Sequence, residues 1–96
     1  MALWDRLRDE LDRAGRVAQD TIDEGRERLE AYRARQRADR VAQSLGYAYF
    51  KARQEGRDIE PEVYARLSSE LAAADSDATR HETEADAAGQ RRKEWF

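Results

Sequence analysis

The stretch Leu45-Gly-Tyr-Ala-Tyr-Phe-Lys-Ala-Arg-Gln-Glu-Gly-Arg-Asp-Ile-Glu-Pro-Glu-Val-Tyr64 holds four of the chain's eight aromatic residues, two of its five glycines and its only proline. Within it, Gly56 follows a helical pattern and reads as a stop, because glycine enters the left-handed region without a Cβ penalty. Pro61 reads as a restart. Proline suits the first helical position, where its missing N–H costs nothing, and this places Glu60 at the N-cap. Ile59 and Tyr64 then occupy the two positions of a hydrophobic staple. The segment 56–60 is therefore predicted to be a tight helix–helix turn, with Tyr47, Tyr49, Phe50 and Tyr64 plugging the closed end.

On either side of the turn the apolar residues fall into matching seams. Before it, Ala31, Ala34, Ala38, Val41, Leu45, Ala48 and Ala52 recur at alternating steps of three and four. After it, Leu67, Leu71, Ala74, Ala78, His81, Ala85 and Ala88 do the same. Such heptads bury one stripe against a partner helix. Setting Ala52 against Leu67, Ala48 against Leu71, Leu45 against Ala74 and Val41 against Ala78 pairs each large residue with a small one. A register three residues shorter, with Leu45 against Leu71, is a second solution. Towards the open end the pairs become Ala38 with His81, Ala34 with Ala85 and Ala31 with Ala88, contacts that bury little area and favour fraying.

Charge points to the same hairpin. Residues 26–57 carry nine bases against four acids, and residues 58–88 carry two Arg against nine acids. Opposite potentials favour docking one block on the other. With 41% charged residues and a mean hydropathy of -1.08 in 96 residues, any core is thin. One proline and an abundance of Ala, Arg, Glu and Leu suit long helices and no strands. The expected fold is all-α, an antiparallel two-helix hairpin (coiled coil) with a long first helix.

That first helix outruns its partner. From Leu3 to Gln54 it measures about 75 Å, against about 42 Å for Pro61 to Ala88. The expected organisation is an amphipathic overhang over 1–28, a hairpin over 29–88, and a basic and aromatic tail over 89–96 beginning where Gly89 stops helix 2. In the overhang Leu3, Leu7, Leu11, Ala14, Ala18, Ile22, Gly25 and Leu29 follow an eleven-residue repeat with steps of 4, 4 and 3, which favours a straight stripe. Gly15 and Gly25 each cost about 1 kcal/mol relative to Ala inside a helix, which suggests close backbone approach or a bend.

An apolar stripe of Leu3, Trp4, Leu7, Leu11, Val17, Ala18 and Ile22 on a single helix is unstable in water unless covered. Three coverings are open: self-association into a homo-oligomer, a dimer or larger; a membrane surface, against which stands the net negative charge of residues 1–25; or a different partner protein. The tail offers a further contact through Trp95 and Phe96, which either fold back on helix 1 or dock elsewhere.

Other chemistry is sparse. Arg26, Arg33, Arg37 and Arg40 share one helical face with Tyr32 nearby, but a sequence pI near 5.2 disfavours nucleic acid. His81-Glu-Thr-Glu-Ala85 has alanine where a zinc helix needs its second histidine, so a half-buried spacer is the expected role of His81, the chain's one histidine. With no cysteine, phosphate loop or catalytic spacing, neither a metal, a cofactor nor an enzymatic activity is expected. The absence of a signal-like or membrane-spanning apolar run places the expected chain in the cytoplasm, with the inner membrane face as the alternative location.

Two stretches carry a resemblance. MALWDRLRDELDRAGRVAQ at 1–19 and LGYAYFKARQEGRDIEPEVYARLSSEL at 45–71 together resemble uncharacterised small bacterial helical-hairpin proteins that begin Met-x-φ-φ-Asp-x-φ and carry Leu-Gly-x-x-x-φ before a Gly-containing turn. This resemblance implies a hairpin fold and no activity. The amphipathic start is similar to that of phage-shock-protein-A-like membrane-remodelling proteins, which implies membrane-surface binding. This chain lacks their further helices.

Overall fold

The structure, a computed structural model, describes residues 2–94. Two helices account for nearly all of them: α1 over Ala2–Gln54 and α2 over Pro61–Glu94. They form an antiparallel hairpin that is a rod of 82 × 16 × 16 Å. Its radius of gyration of 22.5 Å is well above the ~12 Å of a globular chain of this length.

The turn follows from local chemistry. Gly56 takes φ of 73°, and around it Arg57 N–H donates to Ala52 C=O at 3.0 Å while Gly56 N–H donates to Arg53 C=O at 3.0 Å. This is a Schellman cap, satisfying carbonyls that the helix end would otherwise orphan. Helix α2 then starts at Pro61, with Tyr64 N–H donating to Glu60 C=O at 3.0 Å. Ile59 is half-buried and Tyr64 exposed. Ile59 borders a shallow depression with Tyr47, Ala48 and Val63, whereas Tyr64 borders a separate one with Leu45, Ser68 and Leu71. The aromatics do not plug the closed end, since Tyr47, Tyr49, Phe50 and Tyr64 are all more than half exposed. Ala52 and Leu67 are the buried residues there.

Along the seam Ala38, Ala52 and Leu67 are buried, and Val41, Leu45, Ala48, Leu71 and Ala74 are half-buried. The register is the shorter of the two. Ala78, fully buried, packs with Ala34 and Ala38 in one cluster flanked by Ala74; the longer register would have put His81 against Ala38. Two small residues meeting let the backbones approach, so the core consists of small contacts and no large side chain among the described residues is completely buried. Ion pairs across the seam select the same register. Arg35 grips Glu82 at 2.6 and 3.1 Å and Asp75 at 2.7 Å, and Arg92 reaches Glu24.

Gly89 does not stop α2, which continues to Glu94. Its missing Cβ makes room instead: an added one would lie 3.1 Å from Arg28 Nη2 and 3.2 Å from Glu24 Oε1. With α2 extended and the register shortened, Ala88 and Arg91 border a small recess with Asp20 and Asp23. The overhang therefore covers about residues 2–19, not 1–28, and the tail over 89–96 is helical through Glu94. Trp95 and Phe96 lie outside the described residues.

Candidate docking surface

Helix geometry decides which way the apolar stripe of α1 points. Successive residues advance by about 100°, so a step of two crosses to the far side of the helix. Ile22 and Leu29 are 55% and 46% exposed, yet Glu24 and Ala31, two positions on, are buried. The same offset relates exposed Gly25 to half-buried Glu27 and exposed Tyr32 to buried Ala34. The stripe thus runs along the back of α1, away from α2, and it continues past the overhang to Leu29 and Tyr32. Sequence periodicity reveals the stripe but not its direction, which depends on where α2 lies.

On this face Leu3 is 75% exposed, Trp4 65%, Leu7 45% and Leu11 66%. Ala18 is exposed as well, while Val17 is half-buried at the stripe's edge, bordering a shallow apolar depression with Glu10, Arg13, Ala14 and Ala18. From Trp4 to Tyr32 the exposed side chains present on the order of 700 Å² of apolar surface, close to the ~800 Å² that each partner contributes to a standard interface. Gly15 and Gly25 meet nothing within 4 Å of an added Cβ. Packing within the hairpin does not account for them, nor does a marked bend, since α1 is continuous in a rod only 16 Å across.

The polar groups on the α2 side are largely engaged. Glu24 is buried and accepts hydrogen bonds from Arg28 Nε and Nη2 at 3.1 and 3.0 Å as well as from Arg92. The Arg28 bonds, opposed by burial and aided by Arg92, hold its carboxyl below the usual range. Arg35 does the same to Glu82, and its own guanidinium is held still more firmly in the charged form by Glu82 and Asp75. Of the four arginines on one face, Arg37 approaches Asp77 at 3.6 Å, as expected of a basic helix lying against an acidic one.

One cluster could not be read from spacing alone. His81 comes from α2, and Glu27 and Glu30 come from α1 some fifty residues earlier. One ligand atom from each lies within 4.8 Å of the others. His81 Nδ1 is 3.9 Å from Glu30 Oε2 and 3.7 Å from Glu84 Oε2, and its Nε2 is 3.7 Å from Asp77 Oδ1. Both His81 Nδ1 and Glu27 Oε2 are buried without a hydrogen-bond partner. Glu27 and Glu30 stand three apart on one face, which a search restricted to the neighbourhood of His81 misses. Only the fold joins the two segments.

Among the described residues, no helix is long and apolar enough to cross a membrane. Comparisons with protein-family models, curated proteins and solved structures returned no match to this chain.

Proposed function

We propose that the protein is a helical assembly module, a homodimer formed by antiparallel packing of the α1 back faces, in which the α2 hairpin stiffens α1 and leaves the stripe free. The observation that carries this reading is the symmetry of the exposed stripe about Ala18. Its residues lie 4, 7, 11 and 14 positions away on both sides: Ala14 and Ile22, Leu11 and Gly25, Leu7 and Leu29, Trp4 and Tyr32. An antiparallel copy centred on Ala18 therefore meets Ile22 with Ala14, Leu11 with Gly25, Leu7 with Leu29 and Trp4 with Tyr32. A two-fold interface requires such self-complementarity.

Packing and charge support the same arrangement. Gly25, whose missing side chain has no role within the hairpin, makes room for a leucine from the second copy. Trp4 and Tyr32 form an aromatic pair at each end, the kind of anchor that dominates interface energetics. Reversal also brings Glu10 level with Arg26, while Arg8 comes level with Arg28, whose charge Glu24 already neutralises. The same stripe would serve a membrane-surface or partner-protein reading, so experiment distinguishes them.

The test is sedimentation of the full chain across a concentration series, with Leu7→Asp/Leu11→Asp beside it and vesicle flotation in parallel. The reading expects a wild-type dimer, a monomeric double variant and no flotation. A wild-type monomer that floats with anionic vesicles, losing that property in the variant, transfers the stripe to the membrane surface. A monomer that does not float leaves it to a different protein.

A further inference from the structure

The geometry points to a second site on the opposite side of α1 from the stripe: Glu27, Glu30 and His81 form a binding site for one divalent transition metal of the zinc class, which clamps α2 to α1. The two orphaned atoms carry the inference. A buried carboxylate oxygen of Glu27 and the buried Nδ1 of His81, one from each helix, both lack a hydrogen-bond partner. Buried polar atoms are nearly always satisfied, so two unsatisfied ones within a single cluster call for a ligand.

The donor set suits zinc. An imidazole nitrogen with carboxylate oxygens is a borderline set that calcium and magnesium do not seek and zinc accepts. Tetrahedral bonds of about 2.0–2.1 Å need ligand atoms about 3.3 Å apart, and the present separations of up to 4.8 Å close by rotation of two glutamate side chains. Glu84, 3.7 Å from the same nitrogen, or a water completes the coordination. On the far side of the ring, Asp77 Oδ1 lies 3.7 Å from Nε2, beyond a hydrogen bond but close enough to approach that N–H when Nδ1 holds a metal, as in a carboxylate–histidine–metal relay.

Electrostatics and packing agree. Carboxylates of Glu30 and Glu84 lie 3.9 and 3.7 Å from the single imidazole, Glu27 belongs to the same cluster, and Arg28 and Arg35 are paired with Glu24 and Glu82. A cation relieves the repulsion among these carboxylates. The neighbouring seam residues on the two helices, Ala31, Ala34, Ala78 and Ala85, are buried but small, so each contributes little apolar area. A cross-helix clamp stabilises the hairpin where hydrophobic contact is weakest.

The test uses the full chain, free of any purification tag and stripped with chelator, titrated with Zn²⁺ by calorimetry. Co²⁺ absorption reports the ligand geometry, and thermal unfolding is followed by circular dichroism with and without Zn²⁺. The expected result is saturable binding of one Zn²⁺ per chain, a rise in Tm on saturation, and at least a roughly tenfold loss of affinity in His81→Ala. Glu27→Gln, nearly isosteric, keeps the test usable if His81→Ala disturbs the seam, and it is expected to weaken binding with the helical signal unchanged. Weak, non-saturating uptake, or affinity indifferent to both substitutions, overturns the inference.

Discussion

Replacing Gly25 with alanine separates the stability of the hairpin from that of its assembly. Within one chain the added methyl meets nothing within 4 Å, and Gly56 is the only described glycine with positive φ. The substitution therefore removes the helix-interior penalty of glycine and stabilises the hairpin by about 1 kcal/mol. For a domain of this size that corresponds to a Tm higher by about 4–8 °C. In the dimer centred on Ala18 the same methyl is pushed against Leu11 of the second copy, and this happens twice. At about 1 kcal/mol for the mildest overpacking at each contact, dissociation strengthens by roughly 2 kcal/mol or about thirtyfold. Thermal melts at concentrations low enough to populate the monomer, paired with equilibrium sedimentation, read both effects. A higher Tm together with an unchanged or tighter dimer would refute the placement of Gly25 opposite Leu11.

Further outcomes concern the hairpin itself. Ala78→Leu forces a large side chain between Ala34 and Ala38 and is expected to destabilise by about 1–3 kcal/mol in urea unfolding, while Ala72→Leu, on the exposed side of α2, is expected to change little. Gly56→Ala places a Cβ at φ of 73° and is expected to cost about 1–2 kcal/mol by the same assay. Acid should loosen the hairpin. Glu24, Asp77 and Glu82 bind protons less readily folded than unfolded, so their contribution is present above the ordinary carboxylate range and lost as pH falls through their depressed folded values. Melts recorded from neutral pH down past about pH 4 are expected to show Tm falling, and a Tm that holds or rises would contradict the Glu24 and Arg35 networks.

The turn was legible because its chemistry is local: Gly56 and Pro61 each serve a backbone geometry that few other residues fit, and the helix boundaries at Gln54 and Pro61 follow. The register was not. Alanines on both sides of the seam make several alignments equally apolar, and the choice falls to contacts between distant residues, Arg35 with Glu82 and Glu24 with Arg92. Gly89 shows how a local rule yields to tertiary context. Read alone it ends a helix; in the hairpin its bare backbone accommodates the Glu24–Arg28 pair and α2 runs on. The turn aromatics misled for a related reason, since Tyr47, Tyr49, Phe50 and Tyr64 stay more than half exposed and the small Ala52 with Leu67 closes the hairpin's end. The stripe itself was readable from its repeat. Its direction, and the meeting of Glu27 and Glu30 with His81, required the position of α2.

Disulfide trapping at Ala18 tests the proposed antiparallel assembly most directly, because the chain contains no cysteine and residue 18 is the one position of the stripe that meets its own copy. Ala18→Cys, oxidised under mild conditions at concentrations that populate the dimer, is predicted to give a covalent dimer rapidly. Ala14→Cys, whose counterpart in the second copy is Ile22, is predicted to lag far behind. Equal rates at the two positions, or no covalent dimer from Ala18→Cys, would contradict the two-fold pairing.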